Sequence, residues 1–179
     1  MESLTSALQT APSETVREAL RAGAELLRIA GIDSARLDAE VLLRDVLEVE
    51  KAEFYLGFDL GLDEKAEREF QNRLLRRAGR EPVAYITGHK EFWSLDFVVT
   101  PAVLIPRTET ELLVEQALKL ATRSSRRYAS KILDLGTGSG GIAVSLAKEL
   151  LQARVCAVDI SAAGVEIARL NARRHGVEE

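Results

Sequence analysis

The sequence predicts a small all-helical bundle followed, through a β-hairpin, by the first part of an α/β domain with a parallel sheet. Three observations carry this. Residues 13–80 repeat apolar side chains at three- and four-residue intervals, the period of helices. From Ile132 the order is strand, helix, strand, helix, and apolar strands in that order build a parallel sheet covered on both faces. Between the first of those strands and its helix, Gly136, Gly138, Gly140 and Gly141 put four glycines into six positions. The expected divisions are 1–80 (helical), 81–107 (hairpin linker) and 108–179 (the α/β part).

Each element has a local reason. "PSETVREALRAGAELLRIAG" offers Ser13 as an N-cap, an apolar face of Val16, Leu20, Ala24 and Leu27, and Gly31 as a stop. "DSARLDAEVLLRDVL" restarts with Asp33 or Ser34 as cap and Leu37, Val41 and Leu42 on one face. After the short "KAEFYLGFD", the helix in "LDEKAEREFQNRLLRRAGR" repeats Ala66, Phe70, Leu74 and Ala78, and Pro82 closes it. "VAYITGHKEFWSLDFVVTP" alternates β-branched and aromatic residues around Gly88-His89-Lys90, which predicts a hairpin turning there. "PAVLIPRTETELLVEQALKLA" is an extended piece passing into a helix capped by Thr108 or Thr110, and "SSRRYASK" is a polar loop. "ILDLG" and "RVCAVDI" are the strands, each followed by a helix.

Composition bounds the function classes. Residues 1–80 hold 16 acidic and 12 basic side chains, while 81–179 hold 12 of each, so no basic face marks a general nucleic-acid binder. The clusters Arg73/Arg76/Arg77/Arg80 and Arg123/Arg126/Arg127/Lys131 read as solvated helix ends or loops. One cysteine, Cys156, excludes an intrachain disulfide and, inside "VCAV", reads as a buried small hydrophobe. The first 15 residues have neither a basic start nor an apolar run, and no stretch is long enough to span a bilayer. A cytoplasmic protein without metal or membrane partners is expected.

Glycines after a strand let the backbone turn with positive φ and let a ligand approach it closely, while the next helix aims free N–H groups at that ligand. Asp159 ends the second strand, 19 residues after Gly140, where an acid accepts the hydroxyls of a ribose. Ser161 is free to cap the following helix, which leaves Asp159 available. The site therefore suits an adenosine-type cofactor. Asp134, two residues before the first glycine, would oppose a pyrophosphate but favours an ammonium or sulfonium group. Thr137 and Ser139 add hydroxyls between the glycines. Together they favour S-adenosylmethionine over a nicotinamide dinucleotide, hence a methyltransferase over a dehydrogenase.

The blocks "EPVAYITGHKEFWSLDFVVTPAVLIPRTETELLVEQAL", "ILDLGTGSGGIAVSLAKE" and "AVDIS", with "ARLDAEVLL" upstream, resemble the release factor glutamine methyltransferase family (PrmC/HemK type). The glycine motif is shared by many methyltransferases, whereas "EFWSLDFVVTPAVLIPR" is far more specific. One departure is Thr108, where the family has proline; threonine caps a helix instead.

The resemblance implies a Rossmann-like S-adenosylmethionine-dependent methyltransferase domain of about seven strands, of which two are present. It implies methylation of the side-chain nitrogen of the glutamine in the GGQ loop of peptide chain release factors. Gly136, Thr137, Gly138, Ser139 and Gly140 would wrap the cofactor, joined by Asp134 and by Asp159 on the ribose. Phe92, Pro106 and Arg107 would lie near cofactor and substrate, although Phe92 and Trp93 also suit a hairpin core and Arg107 a pair with Glu109 or Glu111. The helical part would grip the release factor. The family aims the amide with an N-P-P-Y segment; none of the four prolines, at 12, 82, 101 and 106, follows an asparagine. The expectation is thus the N-terminal part of a longer enzyme, with no catalytic residue in these 179 and no transfer by them alone. Two other readings stay open: an N-P-P-Y enzyme acting on ribosomal protein glutamine or nucleic-acid amino groups, and a non-catalytic module that binds a partner.

Overall fold

In the computed structural model, which describes residues 15–123 and 131–178, Thr15 opens the first described helix. Its hydroxyl accepts from the Glu18 N–H, and the Glu18 carboxylate accepts from the Thr15 N–H, a reciprocal capping box. Ser13, expected as the cap, and "SSRRYAS" lie outside the described residues. Two more free donors of this turn, Val16 and Arg17 N–H, donate to the Leu60 and Phe58 carbonyls.

The chain divides into two compact units, Met1–Thr87 and Gly88–Glu179. Five helices make up the described part of the first: α1 Val16–Ile29, α2 Ala35–Leu47, α3 Lys51–Leu56, α4 Glu64–Ala78 and α5 Val83–Thr87. Its core joins Leu20, Leu27, Leu42, Leu43, Phe54, Phe70 and Leu74. A Cβ added at Gly23 of α1 would meet the Phe70 ring at 2.7 Å, so a bare residue is what lets α1 and α4 pack this closely.

Two expectations fail in this unit. Helix α2 buries Ala35, Asp38, Ala39, Glu40, Leu42 and Leu43, while Leu37 is exposed, so its inner face is rotated from the one expected. Polar members of that face are satisfied rather than solvated: Asp38 accepts from Arg77 at 2.7 Å and from the Ser34 hydroxyl at 2.8 Å, and Glu40 from the Tyr55 hydroxyl at 2.8 Å. Arg73, likewise, bridges Asp45 and Glu69. The first arginine cluster therefore stitches α4 to α2 through Arg73 and Arg77, and only Arg76 and Arg80 behave as surface residues.

The second unit begins with the hairpin, β1 His89–Phe92 and β2 Leu95–Val98, antiparallel with His89 opposite Val98 and Phe92 opposite Leu95. The turn is Trp93-Ser94, not Gly88-His89-Lys90; Gly88 instead follows the end of α5. Both turn residues take positive φ, 54° and 55°, as a two-residue hairpin of the favoured twist demands. Trp93 is held there from outside: its N–H donates to Glu111 Oε1 at 2.9 Å and its indole to Glu149 Oε1 at 2.8 Å. A 3-10 turn, Thr108–Thr110, precedes α6 (Glu111–Arg123), and it begins at Arg107 without a side-chain cap from either threonine.

β3 (Lys131–Leu135) and β4 (Arg154–Val158) pair in parallel, Lys131 opposite Arg154, and are linked through α7 (Gly141–Glu149). α8 (Ala162–Arg174) follows, its N-terminus capped by Ser161 accepting from the Gly164 N–H at 3.1 Å. Ile132 and Val155 turn towards a core of Phe92, Phe97, Val114, Val144 and Leu146. The alternate residues Leu133, Leu135, Cys156 and Val158 are exposed, because no described element covers that face. Cys156 is therefore exposed rather than buried, and the sheet is covered on one face only among the described residues. No described helix is long and apolar enough to cross a membrane.

Candidate cofactor site

β3 ends at Leu135, and the chain turns at once over the end of its neighbour: Gly136 and Thr137 N–H both donate to the Val158 carbonyl, at 2.8 and 3.0 Å. Gly136, Gly138 and Gly140 follow with φ of 76°, 54° and 84°. Side chains at Gly136 and Gly138 would point into open space. At Gly140, however, a Cβ would lie 3.2 Å from the Cα of Ala168 in α8. The loop thus presents bare backbone at two glycines and packs a helix against the third. α7 then starts at Gly141, and its first turn carries no acidic side chain.

Asp134 and Asp159 stand at the carboxyl ends of the two strands. The Thr137 hydroxyl, buried, donates to Asp134 Oδ2 at 2.7 Å. Asp159 is not idle, as the cap at Ser161 had implied: Oδ2 accepts from the Gly138 N–H at 2.8 Å and Oδ1 from the Ser161 N–H at 2.9 Å. Those N–H groups, Ser161 foremost, then Gly138, with Ile160 adding to them, hold its carboxyl below the ordinary carboxylate range. An ionised carboxylate at this point locks the glycine loop to the start of α8 and retains lone pairs for a hydroxyl-bearing ligand.

The remaining expected residues divide. Phe92 is buried, edge-on to Phe97 at 6.0 Å, and a Cβ at Gly141 would lie 3.5 Å from its ring and 3.7 Å from Pro106. Phe92 and Pro106 therefore brace the first turn of α7 from behind. Arg107 is exposed and pairs with neither Glu109 nor Glu111 among the described residues; the Glu111 carboxylate instead holds the Trp93 N–H. Ser139 is buried, with its carbonyl accepting from the Asn171 side chain at 2.8 Å.

Asn171 was not anticipated. It lies on the inner face of α8 with Ala168, and it also exchanges hydrogen bonds with the backbone of Val98. The available signal was one carboxamide at a core-facing position of an otherwise apolar stripe. The site as a whole offers carboxylates, backbone donors and an open glycine turn, an arrangement that binds and orients rather than one that moves protons.

Residues 18–88 match the family model described as the PrmC N-terminal domain, and residues 127–179 match a methyltransferase domain. A Geobacter sulfurreducens protein named release factor glutamine methyltransferase is 43% identical over 162 residues, covering 90% of this chain and 55% of that protein. Proteins of the same name from Moorella thermoacetica (44% identical; 91% of this chain, 56% of the relative) and Xylella fastidiosa (46%; 79% and 50%) are similar. The chain spans about half the length of the curated relatives it matches. The chain thus matches a PrmC N-terminal domain in its first part and a methyltransferase domain in its last, and over most of its length it is similar to proteins named release factor glutamine methyltransferase.

Proposed function

We propose that residues 131–178 carry the front of a Rossmann-like S-adenosylmethionine site, serving methylation of a release factor glutamine in the cytoplasm. The observation that carries this reading is the Asp159 carboxylate bonded to the Gly138 N–H. It fixes an open glycine turn and an acid at adjacent strand ends, in a chain 43–46% identical to proteins named for that activity. The cradle fits the cofactor: a Cβ at Gly136 or Gly138 would occupy open space, and Asp134 and Asp159 supply negative charge at its rim.

When bound, S-adenosylmethionine supplies a methyl group activated by a sulfonium. Everything else falls to the protein. Gly136–Gly140 would lie along the amino-acid and ribose parts, Asp159 would accept from the ribose hydroxyls, and Asp134, through Thr137, would set a favourable potential for the cationic end. Phe92 and Pro106 would keep the first turn of α7 from shifting. An amide nitrogen is a weak nucleophile, so the reaction depends on aiming it, and no base of raised pKa is needed. The helical unit would hold the body of the release factor, adding binding energy remote from the reacting amide.

The test is methyl transfer from labelled S-adenosylmethionine to a release factor, with the GGQ glutamine or with alanine in its place. It is run on this chain joined to the remaining half of the Geobacter relative. Glutamine-dependent label is the expected result; label equal on both substrates would refute the substrate assignment.

A further inference from the structure

We propose that Asn171 is a positioning residue of the cofactor site, whose single carboxamide ties the glycine loop to the hairpin. This rests on the reading of that loop as the cofactor cradle.

The side chain is fully buried. Its Oδ1 accepts from the Val98 N–H at 2.8 Å, and its Nδ2 donates to the Val98 carbonyl at 3.0 Å and to the Ser139 carbonyl at 2.8 Å. Both amide hydrogens are used, along with one oxygen lone pair. Towards Val98 the carboxamide takes the part of a neighbouring strand, meeting the N–H and C=O that β2 turns away from β1. Towards Ser139 it holds a buried carbonyl that has no other hydrogen-bond partner among the described residues. Asp159 holds the same loop one residue earlier, through the Gly138 N–H. Asp159, before α8, and Asn171, within it, thus both hold the loop's backbone, and among the described residues it is Asn171 that also hydrogen-bonds the strand following Phe92 and Trp93. A displacement of the hairpin is transmitted through Val98 to Ser139 by one rigid planar group.

Asn171→Asp keeps the shape and the bond from the Val98 N–H. It removes both donors and sets an anionic oxygen against two carbonyls. Val114→Ala is the comparison: Val114 is a fully buried residue of α6 in the same core as Phe92 and Phe97, and its truncation lowers stability while leaving the carboxamide and its three hydrogen bonds in place.

Amide hydrogen exchange on the ligand-free chain reads the effect. Asn171→Asp should speed exchange at 136–141 and at 95–99 by about tenfold or more, because local opening replaces anchored structure. Val114→Ala, with a comparable fall in Tm, should leave 136–141 within about twofold of the parent. In calorimetry, S-adenosylmethionine affinity should fall about tenfold in Asn171→Asp and stay within about twofold in Val114→Ala. If Asn171→Asp does not fold, Asn171→Ser, which keeps one donor, is read in the same way. Unchanged exchange at 136–141 in the Asn171 variant, or equal acceleration by Val114→Ala, overturns the inference. Failure of the parent to bind S-adenosylmethionine would remove the cofactor reading, while the exchange comparison still decides whether Asn171 couples loop and hairpin.

Discussion

Alanine at Gly140 and at Gly138 separates two costs that a glycine loop combines. Both residues have positive φ, 84° and 54°, so alanine at either carries the left-handed penalty of about 1–2 kcal/mol. Only at Gly140 does the new methyl meet something: the Ala168 Cα and Cβ at 3.2 Å and Val144 Cγ2 at 3.3 Å. Because the nearest atom is backbone, relief requires α8 to shift, and overpacking of that kind costs about 1–3 kcal/mol more. Gly140→Ala should therefore destabilise the second unit by about 2–5 kcal/mol, against about 1–2 for Gly138→Ala. The assay is urea unfolding followed by Trp93 fluorescence, which reports this unit alone because the chain has one tryptophan. On a domain stability of about 5–15 kcal/mol the difference is large. Equal losses, or a larger loss at Gly138, would mean that α8 does not pack on the loop as described. Ligand affinity should order the other way at matched folding, since alanine at Gly138 enters the open cradle.

Replacing Arg77 by leucine removes the strong partner of Asp38, a carboxylate buried on the inner face of α2. The first unit should lose about 1.5–3 kcal/mol, the worth of a hydrogen bond to a charged group, in far-UV CD melts; a loss under about 0.5 would show that water already satisfies Asp38. Asp159 gives a pH signature with a definite sign. Its folded-state pKa is depressed, so its contribution is present above the ordinary value near pH ~4 and is lost as pH falls through the folded value. Asp159→Asn should flatten the acid limb of stability in the second unit. Glu25 and Glu81 are also held low, by Arg28 and Arg76, but they sit in the first unit and do not reach the Trp93 signal. An unchanged acid limb in Asp159→Asn would contradict the bonds from Ser161 and Gly138.

What the sequence made legible was local. The glycine loop, the acid after the second strand and the Ser161 cap each depend on residues within a few positions, and helical periodicity located α1, α2 and α4. The failures were set at long range. Trp93-Ser94 forms a turn without glycine because Glu111 and Glu149, 18 and 56 positions away, hold it. Arg73 and Arg77 looked like a solvated helix end because their partners, Asp45 and Asp38, lie 28 and 39 positions back. Asn171 was invisible for the same reason, its partners Val98 and Ser139 being 73 and 32 positions distant. The apolar neighbours of Cys156 in sequence point to burial, whereas its exposure depends on whether a layer covers its face of the sheet. Among site residues, Phe92 and Pro106 proved to support the start of α7, and Arg107 is joined to it by no described contact.

S-adenosylmethionine is the ligand proposed for the loop between β3 and α7 with Asp159. Calorimetric titration of this chain with S-adenosylmethionine and, separately, with NAD tests that proposal most directly. The expected result is saturable binding of S-adenosylmethionine, weakened about tenfold or more by Asp159→Ala through loss of bonds to a charged acceptor, and no heat from NAD. Micromolar binding of NAD, or binding of S-adenosylmethionine that Asp159→Ala leaves untouched, would contradict it.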